Sequence, residues 1–259
     1  MLGYDISAGN GAELALIHAG ICDSRMWDAQ WHTLGARYRA LRFDMRGFGE
    51  SPLPEDDFSN TIDLAELMAA AGFGSTVLVG ASMGGAVAID AALAFPDRIA
   101  GLVLVGSAIA GHEWSPEVEA YGELEEAALD AGDLDAASAV NVSFWVDGPQ
   151  RTPSEVDTDV RRRVRDMQRR AFELQLGAAE SLEEHPLVPD AALRLPEIEC
   201  PALVIVGSRD RADILDMADQ LLAELPNARG AVIDDCAHLP SMERPAEFDR
   251  LVEAFVDSL

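Results

Sequence analysis

The chain alternates between short apolar runs and longer segments in which apolar positions recur every three or four residues. The short runs are rich in Val, Ile and Leu, and runs that are apolar throughout are typical of strands buried on both faces of a sheet. The longer segments have the period of helices that cover a sheet. The predicted strands are 14–18, 40–44, 76–80, 102–106, 202–207 and 231–234, and the predicted helices are 63–71, 84–95, 211–225 and 245–259.

This alternation predicts an α/β fold with a doubly wound, mostly parallel sheet. A leading segment at 2–7, followed by the turn Gly9-Asn10-Gly11, predicts one antiparallel edge strand. Residues 1–106 and 201–259 would form this core.

The alternation stops between the two parts of the core. Residues 107–200 contain no convincing strand, only helical or irregular stretches at 116–129, 134–145 and 155–176. An insertion of this size at the C-terminal edge of a parallel sheet lies over the crevice where such folds bind ligands. We therefore expect residues 107–200 to form a helical cap.

Composition narrows the possible partners. The 259 residues are 49% hydrophobic and 25% charged, which fits one compact domain. The chain has 46 acidic against 19 basic residues, every basic one an arginine, for a net charge of -27. Such a surface repels nucleic-acid phosphates and anionic lipid, so neither nucleic-acid nor membrane binding is expected. The oligomeric state is left open.

The cysteines and the hydropathy profile predict a metal-free cytoplasmic protein. Cys22, Cys200 and Cys236 have neither the spacing of a zinc site nor that of a disulfide framework, so they are expected to be free thiols. No run approaches the ~20 apolar residues that span a bilayer, and the N-terminus lacks the basic and apolar regions of a signal peptide.

One serine stands at a sharp turn between a predicted strand and a predicted helix. Residues 80–85 read Gly-Ala-Ser-Met-Gly-Gly, directly after the strand 76–80. A serine on such a turn needs small neighbours and projects its hydroxyl above the sheet. By itself G-x-S-x-G equally fits an ordinary glycine turn, but in this setting it predicts that Ser82 is a nucleophile.

A serine hydroxyl is a weak nucleophile, so it needs a base and a group that orients the base. Asp210 follows the predicted strand 202–207, and His238 follows the strand 231–234. Parallel strands end at one edge of the sheet, so we expect Ser82, Asp210 and His238 to converge there. Asp213 is an alternative acid, although its place near a helix start favours a helix-terminal charge.

Acyl transfer also needs hydrogen-bond donors for the developing oxyanion. The backbone N–H of Met83, at the start of a helix, is one candidate. The loop after the first parallel strand reads His18-Ala19-Gly20-Ile21, and a glycine there lets the backbone approach a substrate closely. Gly20 is therefore the second predicted donor.

Together these motifs resemble the α/β-hydrolase superfamily. The resemblance covers essentially the whole chain outside the cap and implies a Ser-Asp-His hydrolase with a helical lid, oxyanion donors at Gly20 and Met83, and no cofactor. The chain departs from the family pattern at Ala19 and Ala237, where glycine is usual, and its N-terminus is one edge strand short. The motifs are His18-Ala19-Gly20, Asp23–Trp27, Asp44–Ser51, the Ser82 turn, Asp210 and His238.

The substrate pocket is expected between the cap and the core. Aromatic cap residues either line an apolar pocket or attach the cap to the core, and the two possibilities stay open. The arginine-rich segment 161–170 could hold an anionic substrate, but a run of charge is more often a solvated face. The predicted lining is Ile21, Trp114, Phe144, Trp145 and Leu239.

These residues predict a serine hydrolase that cleaves carboxylic esters or lactones through an acyl-enzyme on Ser82. A serine at this turn argues against dehalogenases and epoxide hydrolases of the family, which use aspartate, and the extended glycine-rich oxyanion loop expected of carbon–carbon bond hydrolases is missing. Two alternatives remain: a non-hydrolytic small-molecule receptor, or a cofactor-free perhydrolase. A dinucleotide-binding function fails, because the turn does not read G-x-G-x-x-G.

Overall fold

A single sheet of seven strands runs through the computed structural model, which describes residues 2–176 and 182–259. The strand order is β1-β3-β2-β4-β5-β6-β7, and every neighbouring pair is parallel except β1 with β3. The predicted fold class and antiparallel edge strand are thereby confirmed. The strands are β1 (Tyr4–Ile6), β2 (Glu13–Ile17), β3 (Arg39–Phe43), β4 (Thr76–Ala81), β5 (Ile99–Val105), β6 (Ala202–Gly207) and β7 (Ala228–Ile233).

The central strands are buried along their whole length, as their apolar runs predict. Every residue of β4 and β6 is buried, so helices must cover both faces of this part of the sheet. The edge strand β7 is largely accessible. The helices of the core are α1 (Asp28–Arg37), α2 (Asn60–Ala70), α3 (Met83–Ala94), α8 (Ala212–Glu224), α9 (Pro240–Glu243) and α10 (Pro245–Val256).

The described part of the predicted cap, between β5 and β6, consists of helices joined by loops and has no named strand. That it acts as a cap stays a prediction. Helices α4 and α6 each pack against α5. Helix α5 continues directly into a π-helical turn at Val142–Asp147. The helices are α4 (Pro116–Asp130), α5 (Leu134–Asn141), α6 (Thr158–Gln175) and α7 (Ala191–Arg194).

The last part of the predicted cap lies against the core. The carboxylate of Asp90, in α3, accepts hydrogen bonds from the backbone N–H groups of Leu187 and Val188, and α7 packs on α3. Residues 177–181 of the predicted cap lie outside the described residues. The domain boundaries at 106 and 200 stay predictions.

Candidate active site

The predicted nucleophile lies on a strained turn between β4 and α3. Ser82 has φ 50° and ψ -116°, a conformation that residues with a side chain rarely adopt. Small neighbours are required: a Cβ on Gly80 would lie 2.3 Å from the carbonyl oxygen of Gly84, and a Cβ on Gly84 would lie 2.4 Å from that of Ile17. The Ser82 N–H donates to Val105 O at 2.9 Å, which ties the turn to β5.

The predicted acid and base meet at the C-terminal edge of the sheet. His238 Nδ1 lies 3.0 Å from Asp210 Oδ2, and both side chains are almost completely buried. The other carboxylate oxygen, Oδ1, accepts from the backbone N–H of Arg211 at 2.8 Å. Because a carboxylate oxygen accepts, the Nδ1 atom carries the hydrogen and Nε2 is left to accept a proton.

Gly106 and Ser82 both lie beside this pair. Gly106, at φ 48°, passes so close that a Cβ there would lie 3.2 Å from His238 Nδ1 and 3.3 Å from Asp210 Oδ2. Ser82 and His238 share the wall of one cavity, although no hydrogen bond joins them within the described residues. Catalytic hydrogen bonds are often long before substrate binds and shorten in the complex.

The alternative acid, Asp213, has a different partner. Its carboxylate accepts from the backbone N–H and the hydroxyl of Ser115, each at 2.8 Å. These bonds connect the first turn of α8 to the beginning of the cap. The geometry therefore favours Asp210 as the partner of His238.

The two predicted oxyanion donors are adjacent. A Cβ built on Gly20 would lie 3.6 Å from the Cβ of Met83. Met83 is the first residue of α3, so its N–H has no carbonyl partner inside the helix.

His18 holds the loop that carries Gly20. The backbone N–H of Met45 donates to His18 Nε2 at 2.9 Å, so the hydrogen is on Nδ1, which donates to Ala19 O at 2.8 Å. Burial lowers the pKa of His18, which keeps the ring in the neutral form that this arrangement needs. The bond to Ala19 O fixes the peptide unit whose N–H belongs to Gly20.

A cavity of about 570 Å³ opens beside Ser82 and His238, and three of the five residues predicted to line the pocket line it. Ile21, Trp114 and Trp145 line it, as expected. Phe144 instead lines a separate groove with Arg211 on another side of the cap, and Leu239 is completely buried. The full lining is Gly20, Ile21, Phe48, Ser82, Met83, Ala86, Ala108–Gly111, His112, Trp114, Val118, Tyr121, Glu125, Asn141, Trp145, Gln168, Phe172, Gln175 and His238.

The π-helical turn at Val142–Asp147 places Trp145 over the candidate base. The two rings lie 4.6 Å apart between centroids, and the backbone N–H of His238 donates to Trp145 O at 3.4 Å. Phe144 O accepts two hydrogen bonds from the guanidinium of Arg211. A π-helical turn inside an α-helix is rare and is frequently found at functional sites.

A buried ion pair that the sequence did not predict holds the other end of this turn. Arg151 pairs with Glu243 at 2.5 Å, each side chain being 4% exposed, and it also donates to Val146 O and Asp147 O. Glu243 in turn accepts from the backbone N–H of Ala237, next to the candidate base. Arg151 and Glu243 are 92 residues apart in the sequence, so no local pattern could have revealed this ion pair.

Replacing Arg151 by methionine should lower the free energy of unfolding by about 3 kcal/mol, because the Glu243 carboxylate would stay buried without its partner. Chemical denaturation measures this loss. Arg162→Met is the matched control, since Arg162 is 59% exposed and its ion pairs are at the surface. Adding Glu243→Gln to Arg151→Met should restore part of the stability. Equal stability of Arg151→Met and Arg162→Met would contradict a role for the buried pair.

The arginines of the segment 161–170, in α6, form ion pairs with acidic side chains. Arg161 binds Asp147, Arg163 binds Asp28, and Arg169 binds Asp135. The interpretation as a solvated, ion-paired face therefore fits better than a substrate-binding role. Arg162, Arg165 and Arg170 also lie near carboxylates, those of Asp159, Asp135 and Glu173.

The cysteines are free thiols in the structure, as predicted. Burial raises the pKa of Cys236 to about 12 and that of Cys200 to about 11, so both stay protonated and unreactive near neutral pH. Within residues 2–176 and 182–259, no three side chains are grouped as a metal site would require. No helix in these ranges has the length and apolarity to cross a membrane.

Comparison with known proteins identifies one family. Residues 14–251 match the model of the alpha/beta hydrolase family. A 2-hydroxy-6-oxononadienedioate/2-hydroxy-6-oxononatrienedioate hydrolase from Burkholderia vietnamiensis is 31% identical, covering 97% of this chain and 89% of that protein. A pimeloyl-(acyl-carrier protein) methyl ester esterase from Aeromonas hydrophila is 28% identical and covers 96% of both. The structure of a thermophilic esterase from Thermogutta terrifontis has a TM-score of 0.80 at 28% identity, covering 99% of this chain and 93% of that one.

Proposed function

The chain belongs to the alpha/beta hydrolase family, and from that premise we propose that it is a serine hydrolase that cleaves carboxylic esters or lactones. The names of its relatives support hydrolase activity in general. The observation that carries the finer proposal is the Asp210–His238 hydrogen bond beside the cavity that Ser82 lines. Neither a metal nor a cofactor is required for this chemistry.

The proposed reaction has two halves, acylation of Ser82 and hydrolysis of the acyl-enzyme, and the same side chains act in both. His238 Nε2 takes the proton of Ser82 Oγ while Oγ attacks the acyl carbon, and Asp210 stabilises the imidazolium. The N–H groups of Gly20 and Met83 bind the negatively charged oxygen of the tetrahedral intermediate. The imidazolium then gives its proton to the leaving alkoxide, and water hydrolyses the acyl-enzyme by the same steps.

The fixed position of His238 supports catalysis over a receptor function. Its ring is hydrogen-bonded on one side to Asp210 and packed against Trp145, while its backbone is tied to the π-helical turn. A base held in one orientation loses little entropy on reaching the transition state. A receptor has no need to restrain this ring.

A second candidate function comes from the relative at 31% identity. Its name describes the hydrolysis of a dicarboxylate with a ketone and no ester, which must break a carbon–carbon bond. The cavity of this chain fits a dianion poorly, because no arginine or lysine lines it within the described part of the chain. Ester cleavage is therefore the better-supported proposal.

A substrate panel tests the proposal. We expect the purified protein to hydrolyse nitrophenyl esters and lactones, with rates that fall once the acyl chain exceeds the cavity of about 570 Å³. A fluorophosphonate should label one serine, and peptide mass spectrometry should locate the label at Ser82. Preferred turnover of a 2-hydroxy-6-oxo-dienedioate would favour the second candidate. Ligand binding without turnover of any ester would favour a receptor.

A further inference from the structure

Three polar side chains of the cap form a small cluster on the wall of the cavity. Tyr121 and Glu125, one turn apart on α4, face Asn141 at the end of α5, and all three line the cavity. The Tyr121 hydroxyl lies 2.6 Å from Asn141 Oδ1 and 3.3 Å from Glu125 Oε1. Asn141 Nδ2 donates to Glu125 Oε1 and to Ala137 O.

These contacts use only one oxygen of the Glu125 carboxylate. Asn141 is completely buried; its two amide hydrogens bind Glu125 and Ala137, and its oxygen accepts from Tyr121. Burial, reinforced by the nearby Glu125 carboxylate, raises the pKa of Tyr121, so its hydroxyl keeps the hydrogen that it donates to Asn141. Every hydrogen bond of Glu125 within the described residues ends at Oε1, which leaves Oε2 for a molecule in the cavity.

The cavity wall has a carboxylate but no permanently positive side chain among the described residues. Glu125 is the sole Asp or Glu among the described lining residues, and they include no arginine or lysine. The rest of the wall is largely apolar or aromatic, so a substrate group that meets Glu125 is partly removed from water. Charge-assisted hydrogen bonds are stronger in such surroundings than at an open surface.

We propose that Glu125, positioned by Asn141 and Tyr121, forms a subsite for a hydrogen-bond donor on the substrate, a hydroxyl or preferably an ammonium group, and excludes substrates with a carboxylate there. This inference rests on the proposed ester hydrolysis and narrows its substrate class. It also separates this chain from the 31% identical relative, whose named substrate carries two carboxylates.

Two series of esters test the subsite. One has nitrophenyl esters of hexanoate whose chain ends in methyl, hydroxyl, ammonium or carboxylate, and the other places the same four ends on the alcohol half of acetate esters. In at least one series we expect the protein to prefer the ammonium over the carboxylate by about tenfold or more in kcat/KM, the size expected for one charge-assisted hydrogen bond in a partly open cavity.

Glu125→Gln removes the charge and keeps an oxygen that can accept from Asn141. This variant should lose the preference between ammonium and carboxylate, measured as the ratio of the two kcat/KM values, whatever its rate with the methyl-ended ester. Glu126→Gln is the matched control, because Glu126 is the next residue of α4 and is exposed. The control should keep the full preference.

The outcomes separate the subsite from the proposed function. Hydrolysis of the methyl-ended ester without any preference in either series, or an unchanged preference in Glu125→Gln, would overturn the subsite alone. If no ester is hydrolysed, ester hydrolysis itself fails as a proposal. Tryptophan fluorescence, with Trp114 and Trp145 in the cavity wall, would then compare binding of hexylamine and hexanoate. Equal binding of the two would overturn the subsite, and tighter binding of hexylamine that Glu125→Gln removes would support it.

Discussion

The Ser82→Ala variant should lose ester turnover by a factor on the order of 10⁵, because removing the nucleophile leaves only binding and the oxyanion donors. Its fold should stay intact. Alanine keeps the Cβ of serine, and the half-buried hydroxyl forms no hydrogen bond within the described residues, so the free energy of unfolding should change by less than about 0.5 kcal/mol. Initial rates with a nitrophenyl ester and a denaturation curve measure both quantities.

A second variant at this position separates chemistry from backbone strain. Ser82→Gly is equally unable to form an acyl-enzyme, but glycine adopts a φ of 50° without a Cβ penalty. It should therefore be more stable than Ser82→Ala by about 1 kcal/mol. Hydrolysis by both variants at the original rate would remove Ser82 from the mechanism.

The elements that carry these residues were predictable because their signals are local. The turn at Ser82 is recognisable in the sequence because an apolar strand precedes it, a segment of helical period follows it and glycines lie between them. Asp210 and His238 were located in the same way, since each follows an apolar strand and parallel strands end at one edge. Asp210 could be preferred over Asp213 because only Asp213 lies in the first turn of a helix.

The wall of the cavity depends on packing that no local pattern encodes. The sequence predicts only a helical or irregular stretch at 134–145, and the structure has an α-helix there that changes to a π-helical turn after Asn141. The guanidinium of Arg211 lies 3.7 Å from the Phe144 ring, while Trp145 packs on His238, although the two residues are consecutive. The carbonyl oxygen of Phe144 accepts from Arg211, which is 67 residues away in the sequence.

Leu239, in the core, is another predicted pocket residue whose position local sequence patterns do not determine. It follows His238 directly, so a place beside the substrate was a reasonable expectation. The chain turns inward at this point to begin α9, and Leu239 is completely buried as the residue before that helix. Both residues are buried, but only His238 lines the cavity, and the sequence alone does not show which of two adjacent residues does so.

The Asp210→Asn variant should lower kcat by about 10⁴-fold while binding substrate normally, because it changes which nitrogen of His238 carries the hydrogen. The backbone N–H of Arg211 donates to Asp210 Oδ1, so the oxygen of the new amide will keep that position. Its NH2 group then faces His238 Nδ1, 3.0 Å away in the present structure, and forces Nδ1 to accept. The hydrogen moves to Nε2, which can no longer take the proton of Ser82.

Asp213→Asn is the matched control for this change. Its carboxylate binds Ser115 instead of the candidate base, so the substitution should weaken the attachment of the cap and leave kcat within about threefold, since no reacting group is touched. Single-turnover rates of both variants, measured with one nitrophenyl ester, compare the two acids directly. A larger loss in Asp213→Asn than in Asp210→Asn would contradict the assignment of Asp210, because the carboxylate that is hydrogen-bonded to His238 decides which ring nitrogen takes the proton of Ser82.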